Sequence, residues 1–238
     1  MFGSCITSVL LGLLALAIAA PMRTTGSVNP TQIIAVDFAD PDLLQVGSQW
    51  WAFASNNHKT IAKVGGSLIN VQVAHSPDFN SWTVTGSDAL PTVGAWVDPN
   101  AGNQGAAVWA PSVSQNKKGQ YVMTYSAAVK GSPGKHCIGA ALASQPQGPY
   151  TPQATPLVCP LDQGGAIDSD NFMDVDGTQY VVYKVDGNSI GHGGVCGNTV
   201  APIVNTPIML QRLADDGVTP VGSPVKLLDR SDLDGPLI

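Results

Sequence analysis

The residues best suited to chemistry in this chain are aspartates, and they cluster at two places. Asp37, Asp40 and Asp42 lie in VDFADPDLL, and Asp168 and Asp170 in GGAIDSDNF. Each cluster stands just ahead of an apolar hairpin. Paired carboxylates do general acid and base work when their surroundings push their pKa values apart. Alone, Asp-Pro is an ordinary turn former, so the clusters gain meaning only if the fold brings them together. Asp174 and Asp176 follow in DVDG. Asp-Gly suits a tight hairpin turn because glycine tolerates positive φ, and these two read as structural. An EF-hand is excluded by spacing. It needs acids at positions one, three and five, Gly at six and Glu at twelve, whereas the fifth position from Asp168 is Phe172.

The elements that must position these acids repeat. DLLQVGSQWWAFAS from Asp42, SVSQNKKGQYVMTYSA from Ser112 and NFMDVDGTQYVVYK from Asn171 each read as a strand, a glycine turn and an aromatic-rich strand, with Gly47, Gly119 and Gly177 at the turns. The starts are 70 residues (42 to 112) and 59 residues (112 to 171) apart. A third strand and a polar turn follow each hairpin. Repeats of this size suggest propeller blades; a β-sandwich would not predict three copies of one hairpin. Residues ahead of the first strand of a blade lie near the propeller axis, so carboxylates from different blades can converge on one pocket.

Composition supports an all-β chain. All seventeen acids are Asp and no Glu occurs. Asp is a poor helix former and Glu a good one, and 26 Gly with 18 Pro supply turns. A net charge of −6 with no basic run argues against nucleic acid and against an anionic membrane surface as partners. Residues 1–20, an apolar run with Ala17-Ile18-Ala19 near its end, read as a secretory signal peptide, although no Lys or Arg precedes the run. The mature chain, about 218 residues (238 minus 20), is then secreted and extracellular. Cys137, Cys159 and Cys196 remain, and an exported protein can form disulfides. Cys137 with Cys159 is one pairing, but spacing does not decide it.

DFADPDLLQVGSQWWAFAS, VWAPSVSQNKKGQYVMTYS and AIDSDNFMDVDGTQYVVYK resemble the first three blade openings of family 43 glycoside hydrolases, the arabinanase, α-L-arabinofuranosidase and β-xylosidase family. The resemblance runs from about Ile33 to the end of the chain. It implies a five-bladed β-propeller, of which about three blades fall within this chain: roughly 33–100, 101–160 and 161–238, together a partial catalytic domain over 21–238. It also implies an inverting mechanism on arabinose- or xylose-containing plant polysaccharides or oligosaccharides. Asp40, in Ala39-Asp40-Pro41, matches the general base. Asp168, after Ile167, matches the Asp that orients the general acid and tunes its pKa. Inversion needs two carboxyls about 6.5–9.5 Å apart to admit water.

The family's general acid is a Glu in the fourth blade, usually followed by a small residue and Pro, and this chain has none. Asp234-Gly235-Pro236 is either a degenerate form of that motif or, as in the fungal-looking branch the chain resembles, its approach. The missing Glu, the odd cysteine and the three blades all lead to the expectation that the chain is truncated, folds poorly alone and hydrolyses little. By resemblance Trp109, in VWAP, lines the sugar pocket; the alternative is packing between blades. His192, in SIGHGGVCGN, is a weak candidate for a central site near calcium or water, and His136 has less support. GHGGVCG lacks zinc-site spacing. No cofactor is required, calcium is admitted, and the complete protein is expected to be a monomer. The competing expectation is a non-catalytic propeller that binds sugar.

Overall fold

The computed structural model describes residues 34–56, 63–64, 67–101 and 105–230. The proposed signal peptide and Asp234 lie outside the described residues. Fourteen strands are present among them: β1 (Asp42–Val46), β2 (Gln49–Ala54), β3 (Lys63–Val64), β4 (Ser67–Leu68), β5 (Gln72–Ser76), β6 (Thr83–Asp88), β7 (Val108–Gln115), β8 (Tyr121–Ala128), β9 (His136–Ala143), β10 (Thr151–Pro152), β11 (Ala166–Met173), β12 (Gln179–Val185), β13 (Ile208–Leu213) and β14 (Val225–Leu228). Three short 3-10 turns and no α-helix accompany them among the described residues.

The strands form three four-stranded antiparallel sheets of one pattern. Their orders are β1-β2-β5-β6, β7-β8-β9-β10 and β11-β12-β13-β14, and β3 pairs with β4 in a small ribbon. The three repeated hairpins are therefore the first two strands of the three sheets. Each hairpin turn has a local cause. Gly47, Gly119 and Gly177 all take positive φ, at 60°, 77° and 82°. In the third, the Asp174 side chain accepts from Val175 N–H and Asp176 from Thr178 N–H. These two acids close the β11–β12 turn, at the far end of β11 from Asp168.

The sheets pack on one another through the first strands: β1 against β7, and β11 against β7 and β8. The larger core lies between the first two sheets, with Phe53, Val73, Val108, Met123, Tyr125 and Tyr150 fully or almost fully buried. Every residue of β8 is buried, and its two polar members, Thr124 and Ser126, accept hydrogen bonds from the third sheet. A smaller cluster of Ile138, Ala166, Tyr183 and Val185 joins the second and third sheets. Burying one such large side chain stabilises by about 1.5–3 kcal/mol.

The passage from the second sheet to the third is fixed covalently. Cys137 on β9 bonds Cys159, and Cys196 is free and exposed. Val158 and Leu157 N–H groups donate to the Ile138 carbonyl beside that bridge. Gly165 then runs so close to β9 that a Cβ there would meet the His136 carbonyl at 2.1 Å, and its φ is +98°. Glycine is required at this point both for space and for backbone conformation. Removing the bridge as Cys137→Ala/Cys159→Ala is expected to cost about 2–4 kcal/mol of stability, read as a lowered midpoint in denaturant. An unchanged midpoint would show that the hydrogen bonds around Ile138 alone hold the crossing.

Candidate active site

A cleft of about 300 Å³ opens where the first strands meet, and the same three-residue segment of each sheet lines it. The segments are Asp40-Pro41-Asp42, Ala110-Pro111-Ser112 and Asp168-Ser169-Asp170. In each, the first residue takes a left-handed backbone: φ is 51° at Asp40, 42° at Ala110 and 55° at Asp168. Non-glycine residues adopt this conformation rarely, and it clusters at functional sites. Its cause here is a bulge. Pairing with the second strand skips from Trp109 to Ser112 and from Ile167 to Asp170. The Ala39 carbonyl likewise accepts from Ser55 N–H before the ladder resumes at Asp42. A bulge re-aims side chains, and here it places the residues at 40, 110 and 168 on the cleft wall.

Hydrogen bonds between sheets fix these segments. Val113 N–H donates to Asp42 Oδ2 at 2.7 Å, and Asn171 N–H donates to Ser112 Oγ at 3.2 Å. Both bonds run from the third position of one segment to the backbone just past the next segment. The Ser112 hydroxyl, in turn, donates to Asp170 Oδ1 at 3.0 Å. A second set comes from the end of the second strand. Ala110 N–H donates to Ser55 Oγ at 2.8 Å and Asp168 N–H to Ser126 Oγ at 3.0 Å. Ser55 also donates to Asp40 Oδ2 at 2.5 Å. Its one proton is thereby committed to the carboxylate, because the backbone N–H must be the donor in the other bond.

Electrostatics differ among the four cleft carboxyls. Burial pushes Asp42 up to about 6, against the Val113 hydrogen bond and with help from the Asp170 charge. Asp168 is exposed on the cleft side, yet loss of water around it raises its carboxyl; Lys184 opposes the shift and Asp40 adds to it. Asp186, behind the cleft, is raised by burial, lowered by Lys184 and raised by Asp168. The Ser169 hydroxyl is buried in the cleft wall without a protein partner.

The structure thus brings Asp40, Asp42, Asp168 and Asp170 into one cleft. Asp37 is not among the lining residues; its carbonyl accepts from Gln72 Nε2. Trp109 does not line the cleft itself. It stands one residue before Ala110, its ring against His136 with centroids 4.0 Å apart and planes tilted by 32°. Burial pushes the His136 imidazole pKa down. His192 is exposed in the loop before Cys196. Among the described residues, no group of three or more His, Cys or Asp side chains is arranged to hold a metal ion. Ser55, Ser126 and Lys184 were not legible as site residues from spacing alone. Their signal is that each ends its repeat, in FAS, TYS and VYK.

The profile of the family described as "Glycosyl hydrolases family 43" matches residues 29–237. An extracellular endo-α-(1→5)-L-arabinanase of Thermotoga petrophila is 26% identical over 149 residues, which is 59% of this chain and 27% of that protein. The crystal structure of a thermostable family-43 glycoside hydrolase superposes with a TM-score of 0.59 at 25% identity, covering 82% of this chain and 54% of the other. An endo-arabinase from Bacteroides thetaiotaomicron gives 0.60 at 19%, with 82% and 57% covered. An exo-β-1,3-galactanase from Phanerochaete chrysosporium gives 0.54 at 21%, with 82% and 39% covered. The chain therefore spans little more than half the length of these structures, or less.

The raised carboxyl of Asp42 has a checkable consequence. Its folded pKa of about 6 exceeds the ordinary 3.8, so between those values the folded state holds the extra proton. The contribution to stability is full below about pH 3.8 and is lost as pH rises through 6. Asp42→Asn keeps an oxygen for Val113 and carries no charge. Its stability relative to the parent is expected to be near zero difference at pH 4 and to turn in the variant's favour by pH 7. Unfolding of the two proteins in urea across that range is the measurement; parallel curves would refute the shift.

Proposed function

The chain belongs to glycosyl hydrolase family 43, and we propose that it carries the base side of an inverting glycosidase acting on arabinose- or xylose-containing plant polysaccharides or oligosaccharides. The observation that supports this most is the equivalence of Asp40 and Asp168. They occupy the same bulge position of the first and third sheets and line one cleft. In this reading Asp40 takes a proton from water as the water oxygen bonds to the anomeric carbon. The bond from that carbon to the leaving oxygen breaks on the opposite face of the sugar. Ser55 holds one oxygen of Asp40 and leaves the other for the water. The leaving oxygen needs a proton in the same step. No Glu occurs among the 238 residues, so that proton comes from solvent water, and a leaving group that is stable as an anion departs without one. In the family pattern Asp168 would orient a general acid and raise its pKa by like-charge repulsion; no residue of this chain is assigned as that acid.

The Trp109 ring, held against His136 beside Ala110, offers an apolar face to a pentose. The step draws on water and carboxyl groups and requires no cofactor. Arabinose is favoured over galactose because the Thermotoga petrophila relative is an arabinanase. The extracellular relative and the apolar residues 1–20 support a secreted protein. The absence of Glu favours one second reading, a cleft that binds sugar without cutting it.

The test is release of nitrophenol from 4-nitrophenyl α-L-arabinofuranoside by the full chain, because a good leaving group needs little help from an acid. Release is expected, and Asp40→Asn is expected to lower it by about 10²–10⁴-fold, with Asp168→Asn impaired less. Undiminished release by Asp40→Asn would remove Asp40 as base. Binding without release would decide for the sugar-binding reading, and turnover of the aryl β-galactoside alone would move the substrate to galactan.

A further inference from the structure

One buried charged side chain beside the cleft has no part in the step above. Lys184 lies near the end of β12 and is 7% exposed. Pairing places it opposite Ile167, the residue before Asp168. Ser126 is opposite Trp109, the residue before Ala110. Ser55 bonds Ala39, the residue before Asp40. Lys184 therefore stands where the first two sheets have serine.

Those serines accept the backbone N–H of the next sheet's cleft residue, and Ser55 also donates to its own Asp40. An ammonium has three donors and no acceptor. At this position the third sheet cannot repeat the seam contact, and it presents a positive charge to its own cleft acid instead. A buried ammonium is costly unless carboxylates compensate it. Two stand within its electrostatic reach: Asp168, and Asp186, which is 8% exposed and whose N–H donates to the Gly165 carbonyl.

We propose that Lys184 is a positioning residue of the cleft, the counter-cation shared by Asp168 and Asp186, and that it sets the charge Asp168 presents to a bound sugar. The role toward sugar rests on the glycosidase reading; the electrostatic influence of Lys184 on the two carboxyls does not. The groups around Asp168 are Asp40 from the first sheet, Asp170 on its own strand, Lys184 and Asp186 from β12 and its exit, and the buried His136 on β9, whose backbone bridges Gly165. Without Lys184, Asp168 faces Asp40 and Asp186 with no cation among them, and like charges disfavour its ionised form.

Carboxyl-carbon NMR titration of the full chain tests this without substrate, the Asp168 signal being identified by its loss in Asp168→Asn. In Lys184→Met the Asp168 midpoint is expected to rise by about 1–3 pH units, and Lys184→Arg is expected to hold it near the parent value. An unmoved midpoint in folded Lys184→Met overturns the proposal. Should that variant not fold, Asp168→Asn decides, since it alters a solvent-facing carboxyl. The Lys184 side chain is then expected to titrate at lower pH than in the parent, and an unchanged Lys184 overturns the proposal. Failure to turn over the aryl arabinofuranoside bears on the glycosidase reading and leaves both titrations as they stand.

Discussion

Everything at the cleft depends on one repeated contact. The third residue of each of the first two lining segments offers its side chain to a backbone N–H just past the next segment, from Asp42 to Val113 and from Ser112 to Asn171. Such a bond adds only about 0.5–1.5 kcal/mol net, or about 1.5–3 kcal/mol with a charged acceptor. Its structural effect is larger, because it fixes the register of one sheet against the next at the point where the bulged residue turns toward the cleft. Slippage of a strand by one residue would send that residue to the other face. The serines at 55 and 126 add a second tie to the bulged residue itself. Position of the cleft acids is therefore a property of the seams between sheets as much as of the strands.

Charge is arranged with the same economy. Four carboxyls face one opening, yet their surroundings differ in kind. Asp40 is held by a neutral hydroxyl, Asp42 by a backbone amide in a drier setting that lifts its pKa to about 6, and Asp168 has a buried ammonium behind it. Identical side chains given unlike environments can take unlike roles. The buried core between the first two sheets provides the rigid backing these differences need, since a carboxyl that moved by an ångström would exchange protein partners for water.

Much of this was readable in the sequence, for physical reasons. The glycine turns and the strand alternation are local, so Gly47, Gly119 and Gly177 announced the three hairpins, and DVDG announced a turn. The convergence of Asp40 and Asp168 followed from treating the hairpins as copies. What was not readable depended on pairing across the sheets. The bulges at 110 and 168 leave no mark in composition, because Ala and Asp are not the glycines that positive φ ordinarily selects. The Cys137–Cys159 bond needed the crossing from sheet two to sheet three. Trp109 was expected at the pocket wall, and the structure shows its ring on His136, a residue that sequence gave little reason to notice. Lys184 ends its repeat as Ser55 and Ser126 end theirs, but only the ladder shows that these three are equivalent.

The middle segment breaks the repeat. Asp40 and Asp168 flank Ala110, which shares their backbone conformation and has only a methyl group to offer. Three aspartates there would have made a pseudo-symmetric ring of charge, the kind of arrangement that suits a spherical ion with no front or back. A methyl group at the middle position leaves the charge around the cleft uneven instead. A site with acids at two of three equivalent positions and a methyl group at the other has a direction, which a ring of three like charges would lack.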